Sequence, residues 1–179
     1  EDPRRQRQMC IRDRHGAVNE ECRSVMRYNY CGIARCNFIL EPKQNNVEFA
    51  SKEVILAEAK FLRAFYYFEL VKFFGAIPLV IDERLGVQQV SELSRTPKEQ
   101  VYAQIESDLQ DAVATLSWKS ESSHSGIKGR VDKGAALGLL GKVYLYQEKW
   151  SLAAGTLDQI INSNYYCLLY TSPSPRDTG

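Results

Sequence analysis

Arg63 is the residue whose chemistry most demands a partner, because it stands inside the apolar run FLRAFYYF. A guanidinium left alone among such side chains is costly, so a carboxylate must lie close to it. Asp108, on a later amphipathic segment, is the leading candidate, with Glu58 and Glu69 next. The expected role of the Arg63–Asp108 pair is structural. Glu58, Glu69, Asp108 and Asp111 all fall on helical patterns among basic residues, which suits ion pairs and solvated faces better than a glycosidase pair. No nucleophile elbow, H-E-x-x-H, phosphate loop or G-x-G-x-x-G occurs in the chain. The expectation is therefore a protein that is not an enzyme and uses no cofactor.

Metal and redox chemistry find equally little support. The five cysteines include no C-x-x-C pair, and His15 and His124 are far apart in sequence. Cys22, Cys31 and Cys36 read as buried free thiols on helix faces. Aromatic side chains could stack on sugar rings, but Tyr66, Tyr67, Phe68 and Phe73 follow helical period and read as core. Trp118, in a polar loop after a helix, is the one candidate for ligand contact.

The elements that must position these groups are helices. Five are expected, near 19–40, 47–74, 97–116, 132–147 and 151–163, packed as antiparallel pairs with the last two forming one hairpin. Val25, Tyr28, Ile33 and Cys36 or Asn37 line one side of the first, which Pro42 ends. In the second, Leu62, Phe65, Tyr66, Leu70 and Phe73 recur at helical spacing and Phe61, Phe68 and Phe74 fill the other side. A helix apolar on two sides is expected to be sandwiched. Asn45 and Glu48 have the form of a capping box, Gly75 suits a left-handed C-cap, and Pro78 cannot continue the helix. Residues 76–95 are expected to leave the bundle. Thr96-Pro97-Lys98-Glu99 places a hydroxyl at the N-cap, proline at N1 and a carboxylate at N3 of the third helix. Val101, Ile105, Leu109, Ala112 and Leu116 form its apolar stripe. Asp132 can cap the fourth helix, after a Ser-rich loop expected to be exposed.

The last two helices carry a tetratricopeptide register: Leu140-Gly141, Tyr144 three residues after the glycine, and Ala153 nine beyond the tyrosine. In that reading Gly141 faces Ala153 closely, while Tyr144 and Trp150 fill the wedge between the helices. Tyr165 departs from the pattern, standing where a proline is usual. The fold class expected is all-α, built of tetratricopeptide-like helical hairpins with loop insertions.

Glu58 to Val80 reads E-A-K-F-L-R-A-F-Y-Y-F-x-L-x-x-x-F-G-x-I-P-L-V. This run closely resembles the signature of the SusD/RagB family, surface nutrient-binding lipoproteins of Bacteroidetes glycan-uptake systems. Other blocks follow in the family's order. Tyr30-x-x-Ile33-x-x-Cys36-Asn37 precedes the signature, though the family's usual tryptophan is absent around Val25 and Met26. Val101-Tyr102-x-x-Ile105-x-x-Asp108-Leu109-x-x-Ala112 and Gly129-Arg130-Val131-x-Lys133-x-Ala135-Ala136 come after it, then Trp150-x-x-Ala153, Ile160-Ile161 and Tyr165-Tyr166. The resemblance covers about residues 24–168.

The resemblance implies capture of an oligosaccharide or related nutrient at the outer-membrane surface and handover to a SusC-like TonB-dependent transporter, without bond breaking. Residues 15–168 would be a partial SusD-like helical domain from the N-terminal half of a longer protein. Membrane attachment would come through a lipid anchor missing from this fragment. Cys10 does not match the anchor site, since no apolar signal segment precedes it. Residues 1–14, polar and Arg-rich, and 169–179 lack helical periodicity and are expected to be non-native, adapter-like ends. Without those ends basic and acidic residues nearly balance, so no bias toward nucleic acid remains. The alternative from another class is a cytoplasmic tetratricopeptide adaptor that binds partner peptides.

Overall fold

The computed structural model describes residues 20–41, 48–81, 89, 92–118 and 129–166. The two ends expected to be foreign, Asn45 of the expected capping box, and His15, Cys10, His124 and Cys167 lie outside the described residues. Within them are five α-helices, which we number α1 Glu20–Leu40, α2 Lys52–Phe74, α3 Lys98–Thr115, α4 Lys133–Tyr146 and α5 Trp150–Asn162. Each packs on the next along the chain, and α2 also touches α4. Among the described residues the only β-type pairing is an isolated antiparallel bridge between Ile77 and Thr96. The fold is all-α, as expected.

Helix α1 opens with Glu20 and Glu21 at its positive end and buries Gly32, Ile33, Cys36 and Asn37 at helical spacing. Tyr28, expected on that side, is exposed. Gly32 permits the approach of α2: a β-carbon there would collide with the Tyr66 ring. Of the three cysteines described, only Cys36 is buried; Cys31 is exposed and Cys22 half-buried. The expectation of three buried thiols was too broad: the buried residues of α1 lie in its second half, from Gly32 to Asn37, which Cys22 precedes, and Cys31 falls off the stripe that Ile33 and Cys36 share.

Helix α2 begins at Lys52, some five residues later than expected. Ser51 occupies the N-cap without a side-chain hydrogen bond, and Glu48 pairs instead with Lys52. Its buried side includes Ala57, Arg63, Ala64, Tyr67, Phe68, Leu70 and Val71. The expected sandwich is incomplete: Leu62 and Phe65 are exposed, and Phe73, expected in the core, is 68% exposed. Gly75 ends α2 with its N–H donated to the Val71 carbonyl at 3.0 Å. Its φ of 66° needs glycine, but ψ of −115° takes it out of the left-handed helical region expected for the cap.

The segment after Gly75 does not leave the bundle at once. Ile77 is fully buried, and Thr96 N–H donates to the Ile77 carbonyl at 2.9 Å. This pairing redirects the hydroxyl expected to cap α3: Thr96 Oγ1 accepts from Leu79 N–H at 3.3 Å. Pro97 takes the N-cap position, and its carbonyl accepts from Gln100 and Val101. Helix α3 then buries Val101, Ile105, Asp108, Leu109 and Ala112 on one stripe.

Asp132 caps α4 by accepting from Ala135 N–H at 2.8 Å. A turn with Glu148 at φ 60° leads into α5, and Lys149 N–H closes it on the Tyr144 carbonyl at 3.0 Å. In the hairpin, the close neighbour of Gly141 is not Ala153: a β-carbon on Gly141 would meet Leu157 at 2.7 Å. Ala153 is buried in the main apolar cluster with Tyr144 and Val143. Trp150, expected in the wedge, is 62% exposed at the first position of α5. The buried residues of α5 begin one turn later, at Ala153. Among the described residues no helix is long and apolar enough to cross a membrane.

Candidate functional site

The structure brings Arg63 and Asp108 together as a bidentate pair. Arg63 Nε donates to Asp108 Oδ2 at 2.8 Å, and Nη2 donates to Oδ1 at 2.7 Å. Both side chains are buried, at 6% and 3% exposure, so two neighbouring charges share a medium in which either alone would be costly. The remaining donor, Nη1, reaches Asn37 Oδ1 at 3.1 Å and the Ile81 carbonyl at 3.2 Å. Gln104 Nε2 supplies a further bond to Asp108 Oδ1 at 3.0 Å. Three helices thus meet at one guanidinium.

This cluster holds a strand of backbone. Tyr67, one turn beyond Arg63 on α2, donates its hydroxyl to the Val80 carbonyl at 2.7 Å and accepts from Val80 N–H at 2.8 Å. Asn37 Nδ2 donates to the same carbonyl at 2.9 Å, and Tyr30 Oη donates to the Pro78 carbonyl at 2.7 Å. Proline at 78 has no N–H to satisfy, so its carbonyl is the group that must be met. Side chains from α1 and α2 therefore stand in for the strand partners that residues 78–81 lack.

Burial shapes the titration of these groups. It pushes the Tyr67 hydroxyl up to about 12, although the bond to Val80 and the Arg63 charge pull the other way. Burial also pushes the Cys36 thiol up to about 11, against the Arg63 charge. Tyr30 moves upward by burial and the neighbouring Tyr67. Burial draws the Arg63 guanidinium down, but the bonded carboxylate of Asp108 more than offsets it, and the net direction is upward. The shifts of Tyr30, Tyr67 and Arg63 keep those groups in the charge state that their hydrogen bonds require.

The other acids also have cationic neighbours. Arg130 Nε donates to Glu58 Oε1 at 2.8 Å, with a second bond from Nη2 to Oε2. Glu69 pairs with Lys72 at 2.5 Å, and Asp111 pairs with Lys60 at 2.6 Å. These contacts match the ion-pair reading of the sequence. Among the described residues no group of three His, Cys, Asp or Glu side chains could hold a metal ion.

Trp118 is half-buried just beyond α3. Its ring stacks on Tyr165 at 5.3 Å and 24°, with the Lys133 ammonium 5.7 Å from its centroid. Tyr166 continues this corner, donating its hydroxyl to Asp132 Oδ2 at 2.8 Å. The partner of Trp118 is thus the chain after α5, a contact that no local pattern around residue 118 announces. Sequence reasoning also missed Tyr30, Asn37 and Tyr67 as a polar set. Their spacing marked them as helix faces, and the signal available was that all three carry a hydrogen-bonding group on a buried stripe.

Comparison with known proteins agrees with this architecture. A family model described as "SusD-like_3: Starch-binding associating with outer membrane" matches residues 7–145. A SusD-like protein of Bacteroides ovatus is 36% identical over 124 residues, covering 69% of this chain and 21% of that protein. The chain spans about a fifth to a quarter of the length of the curated relatives that it matches. Among solved structures, a SusD homolog from Bacteroides thetaiotaomicron superposes with a TM-score of 0.79 at 29% identity, over 87% of this chain and 32% of that one. A laminarin-binding SusD-like protein gives a TM-score of 0.70 at 35% identity, over 82% of this chain and 32% of that one. With the family match running through the Arg63 cluster, the signature helix and most of α4, the chain belongs to the SusD-like family.

Proposed function

We propose that the protein containing this chain binds an oligosaccharide at the outer-membrane surface and hands it over to a SusC-like TonB-dependent transporter, breaking no bond. The observation that carries this reading is the family match over residues 7–145, whose description joins starch binding to the outer membrane. The laminarin-binding relative, similar over 82% of the chain, supports a glycan as the ligand class. Paired helices offer broad surfaces for a large partner. The Arg63 cluster serves the scaffold in this reading, fastening residues 78–81 to α1 and α2.

The test uses the full-length gene product. Calorimetry against a panel of neutral and acidic oligosaccharides should give saturable binding to at least one glycan with no hydrolysis products. Outer-membrane preparations should yield it together with its transporter. A product that stays in the cytoplasm and binds peptides would overturn the reading in favour of the adaptor.

A further inference from the structure

A cleft of about 160 Å³ opens between the end of α1, the start of α2 and the end of α3, one helical turn from the Arg63 cluster: its lining residues Leu40, Lys60 and Asp111 each stand three residues from Asn37, Arg63 and Asp108. Its apolar wall is Leu40, Leu56 and Ala57. The rim carries Glu53, Thr115 and the Lys60–Asp111 ion pair, whose Nζ and Oδ2 lie 2.6 Å apart. The pair is partly exposed, at 33% and 54%, so both groups remain open to a ligand.

We propose that this cleft is a binding subsite for a single uncharged pyranose unit of a glycan, an assignment that rests on the functional reading above. The argument is one of size, polarity and charge. The volume suits one sugar ring and excludes a folded peptide or a long chain. The Glu53 and Asp111 carboxylates offer acceptors for sugar hydroxyls, Lys60 supplies donors, and the Thr115 hydroxyl can do either. The aliphatic wall gives the C–H face of a ring an apolar surface, the mixture expected of a small-molecule site. Charge then selects among sugars. Glu53 and Asp111 against Lys60 leave the rim net negative, so uronates and sulfated sugars would meet repulsion. Neutral hexoses would not.

The experiment compares the full chain with Thr115→Phe, which fills the cleft from an exposed position, and with Glu53→Gln, which removes the excess charge. Nuclear magnetic resonance titrations use glucose, laminaritriose and glucuronate as probes. Neutral sugars should shift the amides around Glu53, Lys60 and Thr115, and glucuronate should shift them far less. Thr115→Phe should weaken the neutral sugar by about tenfold or more, while Glu53→Gln should narrow the difference between glucuronate and glucose. Two results overturn the subsite while leaving the functional reading standing. One is a neutral sugar that binds elsewhere with the cleft amides unmoved, and the other is glucuronate binding as well as glucose. If the chain gives no cleft shift and the full-length protein binds no glycan on a broad panel, both fall together.

Discussion

The α1–α3 side of the molecule and the α4–α5 hairpin solve the same problem, holding helices together, by different physics. On the first side a buried guanidinium joins three helices and an outgoing backbone segment through directional bonds. In the hairpin the joint is steric: Gly141 leaves room for Leu157, and Ala153 enters the apolar cluster beside Val143 and Tyr144. A polar joint fails abruptly, because removing one member strands the charges and carbonyls of the others. A packed joint fails in proportion to the volume changed. The two regions should therefore answer mutation and pH differently.

The largest effect belongs to Arg63. Arg63→Ala leaves the Asp108 carboxylate buried without its partner and is expected to cost about 3–5 kcal/mol, read by chemical denaturation. The double change Arg63→Met with Asp108→Leu sharpens the point. It should recover much of that loss, since no charge is then stranded, but it should still free the Ile81 carbonyl that Arg63 holds. A single mutant as stable as the parent would show that the pair is no joint at all.

Alkaline pH should separate the two regions next. Folding raises the Cys36 thiol from 9.0 to about 11 and the Tyr67 hydroxyl from 10.0 to about 12. Both are neutral when protonated, and folding favours that form. Their stabilisation is therefore complete below pH 9 and lost as pH rises through 11 and 12. Each contributes on the order of 2–3 kcal/mol across that window. Tyr67→Phe should remove part of the alkaline dependence at a cost in stability at neutral pH, since Val80 loses a donor and an acceptor. Denaturation midpoints from pH 8 to 11.5 check it. A flat profile would mean that the segment 78–81 opens before these groups ionise.

Gly141→Leu tests the packed joint. The new side chain must displace Leu157, and overpacking of this kind costs roughly 1–3 kcal/mol. Gly141→Ala should cost less, because the nearest obstacle is the end of a side chain rather than backbone. Equal losses for alanine and leucine would place a rigid wall where the structure has a movable one.

What the sequence made legible follows the same division. Helix number and approximate bounds came from apolar period, and a charge inside an apolar run pointed to a partner across the core. Asp108 was accessible to that reasoning because it interrupts the stripe of α3. The strapped segment 78–81 was not, since its bonds run from side chains on two distant helices to backbone carbonyls, and carbonyls leave no trace in a sequence. Thr96 misled for a related reason: its hydroxyl fits a cap, but a tertiary pairing with Ile77 and Leu79 claims it. Phe73 and Tyr28 show the limit of periodicity. An apolar residue at the right spacing is buried only if a neighbour reaches that face, and no pattern within one helix says where its neighbours stop.

Trp150 should give the smallest effect, and it separates repeat register from packing. The tetratricopeptide spacing puts an aromatic in the helix wedge, whereas the structure leaves Trp150 62% exposed, with Tyr144 taking the buried place. Trp150→Ala should then change stability by no more than about 0.5 kcal/mol. Tyr144→Ala, by contrast, empties a core position and removes the acceptor for Gln110 Nε2 at 3.2 Å, so it should cost about 3–5 kcal/mol. Measuring both in one background turns the register question into a ratio. Comparable losses would mean that Trp150 folds back into the wedge and that the hairpin is held by two aromatics. A silent Trp150 beside a costly Tyr144 would mean that helix α5 is held from within the joint, by Ala153, Leu157 and Tyr144 of α4, with no share for Trp150.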